Sequence, residues 1–483
     1  MFLQESFMNS KKLLSRFSRQ TVLIGLMVLV GSVGPVFSEE KKETAENRKA
    51  GLETCLQEAL ENNHRRPASR FAIEMAEAQH RQALAGYWPQ VTAQTGYTRL
   101  DEALNFKYPA ATVTLPPALG GMSVSIPEQD IDIMDEKIFT GSIDATWLLY
   151  DGGMRKGTLE QAKSYVEAMK QEAHRTDLEI IDSVNRYYWG AVLAEKLHRL
   201  GQDTLSRMNT TLALTEALYK QGSGRIKKTD WLSNKVMAET VRSMVALLEK
   251  NELAAQAALA NTMGLSWDKS IKPEDTQIPF VPCKADLGKI VTGAYRFNPD
   301  WGKLEAGLKA AEGGLKTARS GHFPKIALTG DLHKWWPDSD GGLVTSENKE
   351  GWSLGLGLKI PIFSGMLTQN KIAAARASIA KLKEEQWLLK EGIGLQIRDT
   401  LLALSAAEKS FQATQNAMTS ARENRDLNTR AYQNELVETD DVVRAQLMEA
   451  LMEARHYKEK YQHIALLSRL NLIVGTDVLK NIL

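Results

Sequence analysis

The stretch Gly86-Tyr87-Trp88-Pro89-Gln90-Val91 returns as Gly321-His322-Phe323-Pro324-Lys325-Ile326. Each time a glycine closes an Ala-rich segment, an aromatic–proline pair forbids further helix, and an alternating segment begins. The same offset of 235 relates Leu52 to Leu287, Ala59 to Ala294, Asn63 to Asn298, Ala76 to Ala311 and Ala83 to Ala318. Further on, Leu149-Tyr150-Asp151-Gly152 matches Ile362-Phe363-Ser364-Gly365, and Tyr219 matches Tyr432, at an offset of 213. Asp230 matches Asp441, and Gly264 matches Gly475, at 211. The chain is therefore written twice. The fall in offset from 235 to 213 assigns 22 extra residues to the first copy, between Val91 and Tyr150. The fall to 211 assigns it two more at the turn after Tyr219.

Each copy reads helix, strand, loop, strand, long helix, turn, long helix. Pro67 to Gly86 and Pro299 to Gly321 are the first helices. Arg155 to Lys220 and Leu367 to Tyr432 contain no proline, and as helices each would run about 100 Å. Leu178, Ile181, Tyr188 and Val192 form one apolar stripe on the first of these, and Ile180, Val184, Tyr187, Ala191 and Ala194 a second. In the last returning helix the stripe is Leu447, Ala450, Ala454, Tyr457, Tyr461 and Ile464. Two stripes mean two packed neighbours, and the polar remainder puts these helices in water.

The strands alternate with a period of two. Phe139, Gly141, Ile143, Ala145, Trp147 and Leu149 share one face, as do Trp352, Leu354, Leu356, Leu358, Ile360 and Ile362. Ile326, Leu328, Gly330 and Leu332, and Val91, Ala93, Thr95 and Tyr97, repeat the pattern. Their length suits tilted membrane strands of roughly ten residues, though a half-buried soluble sheet alternates in the same way. Aromatics favour the membrane: Tyr87, Trp88, Trp147, Tyr150, Phe323 and Phe363 at one end, Trp335, Trp336 and Trp352 at the other. Four strands cannot close a barrel and open edges are not tolerated in lipid, so several copies must share one. The segments from Asp101 to Lys137 and from Pro337 to Gly351 read as exposed outer loops.

Lys11, Lys12, Arg16 and Arg19 precede an apolar run, Thr21 to Val30, and a Gly34-Pro35 break, which reads as a secretory signal over residues 1–38. An uncleaved anchor is the alternative reading. The expected organisation is then a first repeat over 39–265, a linker or equatorial segment over 266–286, a second repeat over 287–475 and a tail over 476–483. Export would permit a disulfide between Cys55 and Cys283, but two separate thiols is the simpler reading. A net charge of +1 provides no general pull toward nucleic acid.

Gly86-Tyr87-Trp88-Pro89, Leu149-Tyr150-Asp151-Gly152-Gly153, Pro361-Ile362-Phe363-Ser364-Gly365 and Tyr432…Asp440-Asp441-Val442-Val443-Arg444-Ala445-Gln446, in this order within a duplicated frame, resemble the TolC family of outer-membrane efflux proteins. The resemblance runs from about Gly51 to Gly475. It implies an α+β membrane protein and a homotrimer, with four strands per chain making a twelve-stranded barrel in outer-membrane lipid. A helical tunnel would continue through the periplasm of a Gram-negative cell. It also implies a periplasmic adaptor and an inner-membrane pump of RND or ABC type, exporting drugs, toxins or proteins. No cofactor is expected. A periplasmic scaffold, or a pore without a pump, is the alternative.

The family closes its tunnel at the turns after Tyr219 and Tyr432. Asp441 matches the family's aspartate in the second turn, and Asp230 is its repeat partner. Where some members carry a further aspartate stands Arg444, with Asp440 nearby as a substitute. Gly222 stands at the usual glycine of the first turn, but Glu435 occupies that place in the second, so a differently shaped turn is expected there. The first turn holds Arg225, Lys227 and Lys228, and the second Glu435, Glu438, Asp440 and Asp441. Opposite charges on neighbouring tips would pair, although exposed pairs are worth only roughly 0–1 kcal/mol each. The competing reading makes them solvated turn residues, with Asp as an ordinary helix cap.

No enzyme constellation is present. His456 and His463 lie seven apart on one helix face without a zinc-type pattern, and read as surface or interface histidines. His333 falls on the polar face of its strand, toward a lumen. No phosphate loop or nucleophile motif occurs.

Overall fold

The structure, a computed structural model, describes residues 48–481 except 103, 223–225, 284–285 and 338–348. The expected signal segment and Arg225 lie outside the described residues. In chain order the elements are β1 (Arg48–Ala50), α1 (Leu52–Asn62), α2 (Arg65–Ala85), β2 (Gln90–Arg99), β3 (Leu104–Tyr108), β4 (Ala111–Thr114), β5 (Ser123–Ile126), β6 (Gln129–Met134) and β7 (Lys137–Tyr150). Then come α3 (Met154–Lys220), α4 (Lys228–Thr262), β8 (Ile271–Pro273), α5 (Leu287–Phe297) and α6 (Pro299–Arg319). The second copy ends with β9 (Lys325–Pro337), β10 (Glu350–Lys359), α7 (Leu367–Gln433), α8 (Thr439–Val474) and α9 (Val478–Asn481).

Both proline-free runs are single helices, α3 and α7, of 67 residues each. The short helices α1 and α5 were not foreseen as separate elements. Asn298 explains one break: its side chain accepts from Trp301 N at 2.9 Å, and Pro299 starts α6. The duplication holds to atomic detail. Asn63 Nδ2 donates to Thr262 O at 2.8 Å, and its repeat partner Asn298 donates to Ile473 O at 2.7 Å. Gly264 (φ +82°) and Gly475 (φ +86°) end the returning helices against these same turns. A Cβ on either would stand 2.4 Å from Asn62 O or 2.2 Å from Phe297 O, so neither position admits a side chain.

Four strands form one antiparallel sheet in the order β10-β9-β7-β2. The register sorts the faces. Ala93, Ile143, Leu332 and Trp352 form one row across it, and Trp147, Leu328 and Leu356 another. The opposite face carries the row Thr92, Asp144, Asp331 and Ser353. His333 lies on that polar face, 2.7 Å from Asp331. The apolar face is bare: Leu354 is 68% exposed, Leu356 69% and Leu358 62%. A sheet wet on its polar side and apolar on its outer side suits lipid outside and water inside.

Three expectations need correction here. Trp335 pairs with Thr140 on the polar face, because it sits one residue out of phase with Trp336. The girdle at that end is instead the row Tyr97, Phe139 and Trp336, with the Phe139 and Trp336 rings 5.3 Å apart, while Trp352 lies in the row of Leu332, four residues further along the sheet. The segment from Asp101 to Lys137 is not an irregular loop: β3 pairs with β6, and β4 with β5 inside them, making a finger. On α3 the buried seam is Ile180, Val184, Tyr188, Ala191 and Val192, whereas Tyr187 is exposed.

Sheet and helices meet at a clamp. The Asp151 carboxylate accepts from Arg155 Nε at 2.8 Å and from Gly153 N at 3.0 Å. Arg155 reaches back to Leu148 O, Leu149 O and Gly86 O. Gly152 and Gly153 take positive φ at this corner, as do Gly365 and Met366 in the second copy. Below it α3 packs on α2 and α6, then on α4 and α8. The segment after α4 docks on the helices midway. β8 pairs with β1, Tyr188 Oη donates to Asp275 at 2.6 Å, and Phe280 stacks on Phe411 at 3.9 Å. Cys55 is buried and Cys283 half-buried, and both are free thiols.

Candidate functional site at the tip of the helical hairpins

The α3–α4 turn and the α7–α8 turn lie side by side. Lys227 and Asp230 from the first, and Tyr432, Glu435, Glu438 and Asp441 from the second, line one cleft of about 540 Å³. Six of the residues expected from the sequence therefore meet. Arg225 lies outside the described residues, and Lys228 is exposed at the start of α4.

The two aspartates hold their own helices. Asp230 Oδ2 accepts from Lys227 N at 2.9 Å, and Asp441 Oδ2 from Glu438 N at 3.4 Å. Each closes a helix N-terminus, where a carboxylate also favours the helix dipole. Asp440 and Arg444 form an exposed pair on one helix, as do Lys220 and Glu216. The two matched tyrosines differ. Tyr219 is half-buried and stacks on Trp231, ring centroids 5.8 Å apart. Tyr432 is buried, its hydroxyl 2.8 Å from Thr215 Oγ1 and 3.0 Å from Thr439 Oγ1.

Glu435 corrects another expectation. Its φ is +57°, against +71° for Gly222, so the second turn takes the same left-handed bend without a glycine. An L side chain there is strained by roughly 1–2 kcal/mol.

Sequence reasoning missed what lies behind the cleft. Asn234 Nδ2 donates to Thr215 Oγ1 at 3.3 Å, and Gln446 Nε2 to Thr211 Oγ1 at 3.0 Å. With Tyr432 these groups tie α3, α4, α7 and α8 together. One step higher, Glu449 is 2% exposed and faces three arginines: Arg425 at 3.0 Å, Arg207 at 3.6 Å and Arg422 at 3.6 Å. A signal existed: Val442, Glu449, His456, His463 and Leu470 recur every seven residues, and all five are buried. His456 and His463 are therefore core residues, not surface ones, because this seam turns inward. Burial pushes both imidazoles below their ordinary value, and the nearby Glu408 only partly offsets this at His463. Among the described residues no cluster of His, Cys, Asp and Glu could hold a metal ion.

A lipid-facing sheet with two open edges, continued by hairpins that end in a paired tip, defines an outer-membrane channel assembled from several copies. The model of the family described as "Outer membrane efflux protein" matches residues 55–265 and 294–476, and the chain belongs to that family, the TolC-like channels. It is the non-catalytic outer-membrane component of a tripartite efflux or export system, its helices in the periplasm, working with an adaptor and an inner-membrane pump. The barrel forms on trimerisation. Protein CyaE of Bordetella pertussis is 24% identical over 351 residues, 71% of this chain and 70% of that protein. The Campylobacter jejuni CmeC outer membrane channel superposes with a TM-score of 0.72 at 15% identity, over 88% of this chain and 86% of that one. The open state of the Neisseria gonorrhoeae MtrE outer membrane channel gives 0.66 at 17% identity, over 91% and 96%.

Proposed function

We propose that this channel closes at the tip where the two turns meet, and that the residues lining the cleft set its resting state. The observation that carries this is the convergence of Lys227, Asp230, Tyr432, Glu435, Glu438 and Asp441 on one cleft. Basic groups of the first turn would face acidic groups of the second on a neighbouring copy, adding Arg225, Lys228, Asp440 and Arg444 to the ring and Tyr219 behind it. Several weak pairs together would hold the iris shut. The pump behind it is of RND or ABC type, and the cargo is drugs, toxins or proteins. The mature chain begins near Glu39, with repeats over 39–265 and 287–475 joined by the equatorial segment 266–286, and a tail over 476–483.

The capping bonds of Asp230 and Asp441 dictate the test. Asn keeps an oxygen for the cap but removes the charge. Single-channel conductance of the Asp230→Asn, Asp441→Asn double variant should exceed that of the wild type, with stability lowered only by the lost charge–dipole contribution, roughly 0.3–1 kcal/mol per site. Equal conductance in a folded trimer would remove the gating role and leave both residues as helix caps.

A further inference from the structure

The 22 extra residues of the first copy fall within the finger made by β3 to β6. From Tyr108 to Pro127 this finger holds no charged residue, in a chain where a quarter of the residues are charged. Its inner ladder, β4 with β5, sets Val113 opposite Val124 and Ala111 opposite Ile126. Val113 is 50% exposed and Val124 47%, and the tip residues Leu119 and Met122 are 70% and 67% exposed. A two-stranded ribbon is marginal in water. Exposed strand edges in natural proteins carry Lys, other charges or bulges that block pairing, and these two edges carry none of the charges. Such edges are made to be covered.

Two features identify what covers them. The finger is rooted between β7 and β2, and β2 is an edge of the sheet that must pair with a second copy to close the barrel. Its base therefore stands beside the seam between copies. Its root is also a charged collar, Arg99, Asp101 and Glu102 against Asp135, Glu136 and Lys137, closed by Leu100 N donating to Glu136 O at 2.7 Å. That collar lies beyond the aromatic belt of Tyr97, Phe139 and Trp336, so the finger starts outside the hydrocarbon and points away from it. Identical fingers around one mouth can satisfy each other head to tail, a contact that closes under three-fold symmetry.

We propose that the three fingers of the assembled channel join edge to edge, β4 of one copy against β5 of the next, as a cap over the outer mouth. The proposal rests on barrel assembly and is independent of how the periplasmic tip behaves.

Leu119→Cys in the full-length trimer, isolated in outer-membrane vesicles, tests it. Mild oxidation should yield cross-linked dimers that the wild type lacks, and a membrane-impermeant maleimide should react slowly. Adding Val113→Lys and Val124→Lys should abolish the cross-link and restore fast labelling while the trimer persists. Rapid labelling of Leu119→Cys without dimers would place the finger free in water and overturn the cap. Quenching of a fluorophore on that cysteine by nitroxide-bearing lipid chains would place it in the membrane and overturn it equally.

Discussion

The left-handed residue at each tip turn shows how one side chain tunes the molecule. Gly222 adopts its conformation without cost, whereas Glu435 holds φ +57° with a side chain attached. Glu435→Gly should raise trimer stability by about 1 kcal/mol, the strain of an L residue in this region less the added freedom of glycine when unfolded. Chemical denaturation followed by tryptophan fluorescence would measure it. The repeat pointed to Glu435 because it stands where Gly222 stands, but it could not show that the bend persists. The buried histidines make a second prediction. His463 has neither ring nitrogen hydrogen-bonded, and its value is depressed mainly by burial. Above about pH 6.5 both folded and unfolded chains carry it neutral. Below that the unfolded chain takes the proton first, so stability falls with pH until the folded value is reached. The melting temperature should drop on acidification from about pH 7.5 to 5.5, and less so in His463→Phe. The two histidines by themselves do not tell core from surface; the heptad they share with Val442 and Leu470 does, because those apolar members mark the face that turns inward.

At the scale of elements, the long helices were plain in the sequence because sixty-odd residues without proline leave little else. What fixes their crossing was not. Gly157 of α3 lies so close to α6 that a Cβ there would stand 2.6 Å from Gly313 O, and a Cβ on Gly313 would stand 2.8 Å from Gly157 O. Backbone cannot yield as a side chain would, so Gly157→Val should cost at least roughly 1–3 kcal/mol and lower trimer yield on a non-denaturing gel. The Glu449 node works on the lower half. Glu449→Ala would take the shared anion from Arg425 and Arg207; because Arg425 keeps Asp426 at 2.6 Å and Arg207 is a third exposed, the loss is roughly 1–3 kcal/mol. Proteolysis near the tip should become faster in that variant. The finger reads as a loop in the sequence because four prolines and two glycines interrupt it, while its pairing depends on a register that short alternating pieces do not announce.

At the scale of the whole molecule, one chain is visibly incomplete. Its sheet exposes an apolar face and ends in two edges, β2 and β10, that one chain leaves open. The alternation made the faces legible from sequence. The need for further copies followed from the cost of bare backbone in lipid, whereas their number came from the family. The central claim is that copies share one barrel that conducts, and planar-bilayer recording tests it most directly. Folded trimers should open in discrete, uniform steps, larger in the Asp230→Asn, Asp441→Asn variant than in the wild type. Silence from folded trimers of both proteins, with the outer fingers opened by Val113→Lys and Val124→Lys, would contradict the account.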